Sequence, residues 1–189
     1  HVEELLHFGA EREAAHSQVI QRNAALDVEG RGRQVAPDGP AELTDSHTER
    51  TRLIILNSPH NPCGSGLTRA DVEAIAEVAV ARDLVVLSDE VYWAIRYGGG
   101  HPSVLEVDGM AERTVLLDGW SKTFAMTGWR LGFGVLPAPL VEPVTRLVVN
   151  SVSCTAAFSQ HAAIAALDGP WAPVAAMVAS LRERRDLVV

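Results

Sequence analysis

The chain has 189 residues and almost no lysine, because Lys122 is its only one beside 15 arginines. Aromatic residues make up only 5%, and no apolar run reaches the roughly 20 residues that a membrane-spanning helix needs. No basic start precedes an apolar stretch, so we predict no secretory signal. The formal charge of −8 argues against a nucleic-acid or anionic membrane surface. The expected partner is therefore a small molecule.

Metal-binding patterns are also missing. The two cysteines, Cys63 and Cys154, lie far apart with no CxxC spacing, and the seven histidines show no HExxH spacing. We expect no metal, and we expect both thiols to be reduced in a cytoplasmic protein. The sequence begins at His1 rather than methionine and stops at Val189 inside a predicted helix. This suggests a partial chain.

Apolar runs alternate with helical patterns over most of the chain. Wholly apolar runs are typical of strands buried on both faces, and alternation with helices predicts an α/β fold whose mainly parallel sheet is flanked by helices. Thr68 and Asp71 have the capping-box spacing at the start of the first clear helix. The predicted strands are 52–57, 84–90, 114–119 and 131–136, and the later helices lie near 140–151, 158–167 and 171–187.

Three segments follow from these patterns. Residues 1–50 form a helix followed by a polar loop, without chemistry that we can identify. Residues 51–170 form the core of the α/β domain, and 171–189 a further helix. Ligands of such sheets bind at the carboxyl ends of the strands, where polar turns follow each run at 57–64, 88–92 and 119–122.

Lys122 lies in the last of these turns, in the segment GWSKTFAMTGWRLGFG. Arginine is never deprotonated in a protein, whereas a lysine amine can lose its proton, attack a carbonyl and form a Schiff base. One retained lysine is consistent with that need. On the lysine count alone, chance survival in an arginine-rich composition explains it better.

Three motifs favour a functional lysine over chance survival. The segments NSPHNPCG, SDEVY and SKTFAMTGWRLG, in this order and at these separations, resemble the class I/II aminotransferases, pyridoxal-phosphate enzymes with the aspartate-aminotransferase-like fold, fold type I. The resemblance covers about Thr51 to the C-terminus. It implies that Lys122 forms a Schiff base with the cofactor aldehyde and then moves the proton as base and acid. It also implies that Asp89 pairs with the protonated pyridine nitrogen.

The resemblance assigns further contacts to the cofactor pyridoxal 5'-phosphate. Tyr92 and Asn61 align with residues that donate to its phenolic oxygen, and Arg130 with the arginine that clamps its phosphate through paired hydrogen bonds. The apolar and glycine neighbours of Arg130 predict a buried cation rather than a surface ion pair, and Gly128 and Gly132 predict close backbone packing.

Some parts depart from the family pattern. Gly119 stands where many members carry a phosphate-binding serine, which leaves Ser121 as a weaker candidate, and Cys63 replaces a threonine. No segment matches the phosphate-binding loop, the ring-stacking aromatic or the small domain whose arginine grips the substrate carboxylate.

The leading hypothesis is a pyridoxal-phosphate-dependent aminotransferase, or its cofactor-domain fragment, that transfers an amino group between an amino acid and a 2-oxo acid. The resemblance implies a homodimer, with residues 150–163 at the interface. Two alternatives stay open: a β-lyase or decarboxylase on the same fold, and a catalytically silent truncated homologue. The sequence does not identify the amino acid or the oxo acid.

Overall fold

The structure, a computed structural model, describes residues 51–189, so the segment predicted over 1–50 lies outside the described residues. All the predicted strands and helices from residue 51 onward are present, within a few residues of the expected bounds. In chain order they are β1 (Leu53–Asn57), α1 (Arg69–Ala81), β2 (Val85–Asp89), a 3-10 turn (Val104–Glu106), β3 (Thr114–Gly119), α2 (Trp120–Thr123), a second 3-10 turn (Thr127–Trp129), β4 (Gly132–Val135), α3 (Ala138–Val152), α4 (Ala157–Asp168) and α5 (Ala172–Val188).

The four strands form one sheet in the order β1-β2-β3-β4. The first three strands run parallel, and β4 pairs antiparallel with β3. The predicted α/β fold with a mainly parallel sheet is therefore confirmed. Because β1, β2 and β3 point the same way, their carboxyl ends meet at one edge, where Asn57 lies opposite Asp89. The polar turns of the sequence all follow that edge.

Helix α1 covers one face of the sheet and forms the main hydrophobic core with it. Its start is fixed by the predicted capping box: the Asp71 amide donates to Thr68 Oγ1 at 3.2 Å, and the Thr68 amide donates to Asp71 Oδ2 at 2.8 Å. Both bonds satisfy amide groups that have no partner inside the helix. The buried core residues are Ile54, Leu56, Val72, Ile75, Ala76, Ala79, Leu84, Val86, Val104 and Met110.

The opposite face of the strands is only half-buried, with Ile55, Leu87 and Leu117 partly exposed. The apolar runs predict strands buried on both faces, and the described residues do not provide that cover. Side chains alternate between faces along a strand, so the α1 side is buried while the other side keeps contact with solvent.

A second cluster joins the C-terminal helices to the segment around Lys122. Trp120 is buried against Ala163 of α4, and its indole N–H donates to the Ala163 carbonyl at 3.2 Å. Trp171, at the start of α5, packs against the rings of Phe124 and Trp93 with centroids 5.2 and 6.0 Å away. These contacts tie α4 and α5 to the turns that follow β2 and β3.

Within residues 51–189, no single helix is long and apolar enough to cross a membrane; α4 and α5 together have the length and composition, with an 82° bend between them.

Candidate active site

Lys122 lies on α2, the single helical turn that follows β3 directly. Its Nζ is 5.5 Å from the centroid of the Tyr92 ring, so the turn after β2 and the turn after β3 meet at this amine. The side chain is half-buried. The lysine is thus held beside an aromatic ring at the edge of the sheet that sequence analysis selected.

The packing of Gly119 explains one departure from the family pattern. A Cβ added there would lie 2.9 Å from the Cα of Gly132 and 3.0 Å from the carbonyl oxygen of Leu131. Backbone atoms cannot move aside as a flexible side chain can, so a serine does not fit between β3 and β4. The predicted close approach at Gly132 is confirmed. The prediction for Gly128 is wrong, because a Cβ there would have no neighbour within 4 Å.

Asn61 and Tyr92 are joined directly. The Asn61 side-chain amide donates to Tyr92 Oη at 3.3 Å. Asn57, the first residue of the NSPHNPCG motif, had no assigned role but supports this pair. Its Oδ1 accepts from the main-chain amide of Asn61 at 2.9 Å, and its Nδ2 donates to the Asp89 carbonyl at 3.4 Å. The sequence signal for Asn57 was its position as the polar residue that ends the first apolar run. Asn57 therefore connects the ends of β1 and β2.

Asp89 ends β2 and accepts a hydrogen bond from the Val91 amide at 3.2 Å. Burial raises the pKa of its carboxyl group above 3.8; the Val91 bond lowers it, the charge of Glu90 raises it, and the charge of Lys122 lowers it. A half-buried carboxyl group whose pKa stays raised even beside Lys122 favours a further cationic partner. Asp89, Lys122, Tyr92 and Asn61 thus form one group of side chains.

Arg130 lies apart from that group in its contacts. It follows the second 3-10 turn with a left-handed φ of 54°, and its Nη1 donates to the Thr127 carbonyl at 2.9 Å. The prediction of a buried cation is wrong, because the residue is exposed and the neighbouring Gly128 lies in open space. Arg130 is the only predicted site residue that lines a cavity of about 710 Å³, beside Cys154 and Phe158.

Ser121 precedes Lys122 on α2 and is half-buried. Within residues 51–189 its hydroxyl makes no hydrogen bond to Asn61, Tyr92 or Arg130. Its predicted contact with a phosphate therefore stays a prediction. The same described part of the chain holds no cluster of three His, Cys, Asp or Glu side chains able to bind a metal ion.

Two further carboxylates lie beside the site. Asp118, at the end of β3, accepts from the Gly119 amide at 2.6 Å and from the Trp93 indole N–H at 2.9 Å. Burial raises the pKa of its carboxyl group from 3.8 to about 7, opposed by these two hydrogen bonds and reinforced by the charges of Glu90 and Asp89. Glu90 is itself buried. Sequence reasoning passed over both, because an acidic residue at a strand end is normally solvated.

The fold and this group of residues define the class: an α/β domain with a lysine, a carboxylate and two hydrogen-bond donors at the carboxyl edge of its sheet. The family described as "Aminotransferase class I and II" matches residues 14–189. The chain therefore belongs to the class I and II aminotransferases. The match begins before Thr51, where the motif-based resemblance starts.

Named relatives support this membership. The chain is 45% identical over 150 residues to aromatic-amino-acid aminotransferase 2 of Thermococcus litoralis, covering 78% of this chain and 39% of that protein. It is 46% identical over 142 residues to arginine–pyruvate transaminase of Pseudomonas aeruginosa, covering 75% and 36%. Each alignment spans less than half of the relative. The chain thus corresponds to about two fifths of the length of these proteins.

Solved structures agree with the fold. The aromatic aminotransferase of Pyrococcus horikoshii superposes with a TM-score of 0.76 at 44% identity, covering 78% of this chain and 40% of that one. The N-succinyldiaminopimelate aminotransferase of Mycobacterium tuberculosis gives a TM-score of 0.73 at 41% identity, covering 80% and 41%. The described strands and helices are therefore those of an aminotransferase fold.

Proposed function

We propose that this chain carries the cofactor-binding core of a pyridoxal-phosphate-dependent aminotransferase, with Lys122 as the residue that binds the cofactor aldehyde. The observation that supports this most is the convergence of three turns: the only lysine lies 5.5 Å from the ring of Tyr92, whose hydroxyl is bonded to Asn61 at 3.3 Å. Residues 51–170 would form this core, and α5 would continue from it.

The donor set fits pyridoxal phosphate group by group. Asn61 and Tyr92 offer N–H and O–H donors for a phenolic oxygen, and the half-buried carboxylate of Asp89 offers a negative charge for a pyridinium nitrogen. Arg130 bonds the Thr127 carbonyl through Nη1, and its remaining N–H donors would bind a phosphate, with Ser121 as a second donor. When bound, pyridoxal phosphate supplies an electron-withdrawing ring that stabilises negative charge on the substrate carbon.

The residues of the chain perform the other tasks. Once its amine is free, Lys122 would accept the proton that leaves the substrate carbon as a general base and donate a proton again as a general acid. Asp89 would keep a positive charge on the ring nitrogen, because its half-buried carboxylate is stabilised by a cation beside it. Asn57 holds both Asn61 and the end of β2, so the donors and the carboxylate keep one geometry.

For substrates we propose an amino acid and a 2-oxo acid. The relatives are named for aromatic amino acids, for aspartate and for arginine with pyruvate, which is a 2-oxo acid. These names share the reaction and differ in the side chain, so they support the substrate class alone.

We also propose a homodimer formed through α3 and α4. Large apolar side chains are exposed on this surface, among them Leu147 at 67%, Val152 at 60% and Phe158 at 69%. Val152 and Phe158 also line one cavity, and clustered exposed apolar side chains mark an interaction site. Phe158→Glu should shift the chain to a monomer in analytical ultracentrifugation, whereas Val80→Glu, at an exposed apolar position on α1, should not. A Phe158→Glu chain with unchanged mass would contradict this interface.

A cytoplasmic location is proposed as well. Cys63 and Cys154 are both exposed and unpaired, which suits a reducing compartment.

The experiment that tests the function is a titration of the chain with pyridoxal phosphate, followed by its visible absorbance. The chain should develop the band of a lysine adduct, and Lys122→Arg, which keeps the positive charge but has no free amine, should not. Amino acids added to the adduct should then yield pyridoxamine phosphate and an oxo acid. An oxo acid released with the adduct unchanged would instead indicate elimination. No band at all would favour the silent homologue.

A further inference from the structure

Glu90 is a buried carboxylate with an unusually complete set of partners. Its side chain is only 6% exposed. Oε1 accepts from Ser88 Oγ at 2.9 Å, from Ser103 Oγ at 3.1 Å and from the Val104 amide at 3.4 Å, and Oε2 lies 2.9 Å from His101 Nε2. Among residues 51–189, every side-chain partner of Glu90 outside β2 comes from the segment 101–104. Glu90 therefore fastens that segment to the end of β2.

The energetics of burying Glu90 indicate that it fixes the positions of its neighbours. Burying a carboxylate costs several kcal/mol unless hydrogen bonds compensate it, and an apolar side chain of similar size often stabilises such a position as well or better. His101 is buried too, and its Nδ1 has no hydrogen-bond partner among the described residues, so the bond to Glu90 is the one that orients the ring. These groups fix positions more than they add stability.

The position that they fix is the turn that carries the candidate site. Ser88 and Glu90 share the α1 side of the sheet, since their side chains are bonded, while Asp89 between them faces the other way. The main chain of Glu90 donates to the Leu117 carbonyl at 3.0 Å and accepts from the Trp93 amide at 2.8 Å. The turn from Glu90 to Trp93, which presents Tyr92, is thus held at its first residue.

We propose that Glu90 and His101 are positioning residues that hold the Asp89 carboxylate and the Tyr92 hydroxyl in place for the cofactor. The assignment of a cofactor to Asp89 and Tyr92 rests on the proposed function. The placement of these two groups by Glu90 and His101 does not depend on it.

The first test uses the cofactor-free chain. The Val91 amide donates to Asp89 Oδ1, so its hydrogen exchange reports the position of that carboxylate. Glu90→Gln keeps the acceptor for Ser88 and Ser103 but places an amide N–H against His101. We expect the Val91 amide to exchange roughly tenfold faster relative to the amide of Val86 on β2, about the factor for one lost hydrogen bond. Glu90→Leu should raise the exchange rate of Val91 further.

Glu106→Gln is the matched control, because Glu106 lies in the 3-10 turn just beyond this segment and bonds Arg69 instead. It should leave the exchange of Val91 unchanged. Ser103→Ala removes one donor to Glu90. This milder variant tests the proposal even if Glu90→Leu does not fold. Equal exchange of Val91 in the parent chain, Glu90→Gln and Ser103→Ala would overturn the proposal.

The second test measures pyridoxal phosphate affinity from the adduct absorbance, with the folded fraction of each variant determined by urea unfolding. Glu90→Gln and Ser103→Ala should weaken binding by the folded chain, in the same order as they raise Val91 exchange, and Glu106→Gln should not. Unchanged affinity with lower stability alone would show a merely structural role and refute the proposal. A parent chain that binds no pyridoxal phosphate would refute the proposed function, while the exchange of Val91 would still decide the positioning.

Discussion

Asp118 makes the stability of this chain depend on pH in a direction opposite to most aspartates. Its carboxyl pKa rises from 3.8 in the unfolded chain to about 7 in the folded one, chiefly through burial. The folded chain therefore binds the proton more tightly than the unfolded chain. The protonated carboxyl group contributes its full stabilisation below pH 3.8, and this stabilisation is lost as the pH rises to about 7.

The magnitude follows from the two pKa values. A difference of about three pH units, at about 1.36 kcal/mol each, costs the folded chain ~4 kcal/mol above pH 7. Asp118→Asn removes this cost. It also removes one acceptor, so either the Gly119 amide or the Trp93 indole loses its partner, at about 1–3 kcal/mol. Above pH 7 the variant should be the more stable chain, and at low pH the less stable one.

The assay is urea unfolding, followed by tryptophan fluorescence, from about pH 4 to about pH 8. Between these limits the difference in free energy of unfolding between Asp118→Asn and the parent chain should change by ~4 kcal/mol. Asp108→Asn is the control, since Asp108 is exposed, and its curve should follow that of the parent. Parallel curves for Asp118→Asn and the parent would refute the reasoning.

Three further substitutions test the packing. Gly119→Ala should cost about 1–3 kcal/mol of unfolding free energy, because its Cβ would meet backbone atoms at 2.9 Å. Gly128→Ala, in open space, should cost under about 1 kcal/mol. Equal costs would contradict the close approach of β3 and β4. Thr68→Ala should lose about 1 kcal/mol with the capping box, measured by urea unfolding, and no loss would mean that the cap is not formed in solution. Ile75→Ala should cost about 2–5 kcal/mol in the core, far more than Val80→Ala on the exposed side of the same helix.

The positions of strands and helices could be predicted because apolar runs and a capping box are local signals. The antiparallel direction of β4 could not, since an apolar run indicates burial and says nothing of direction. The short path from Trp120 to Leu131 returns the chain beside β3 and reverses it. Strand direction is thus a property of the connection rather than of the strand.

The candidate site shows the same limit. Asn61, Asp89, Tyr92 and Lys122 were predicted because they stand in motifs, and the structure brings them together, although their roles toward a cofactor stay proposals. Glu90 could not be predicted as a buried acid, because all its side-chain partners except Ser88 lie 11 to 14 positions further along the chain. Only the folded chain shows that they meet.

The central claim is that Lys122 binds pyridoxal phosphate covalently, and reduction of the adduct with borohydride tests it most directly. Lys122 is the only lysine of this 189-residue sequence, so in a chain of this sequence only an N-terminal amine would compete for a reducible adduct. Peptide mass mapping of the reduced chain should locate one pyridoxyl group on Lys122, and none on the Lys122→Arg chain. A label confined to the N-terminal peptide, or no label on the parent chain, would contradict the account.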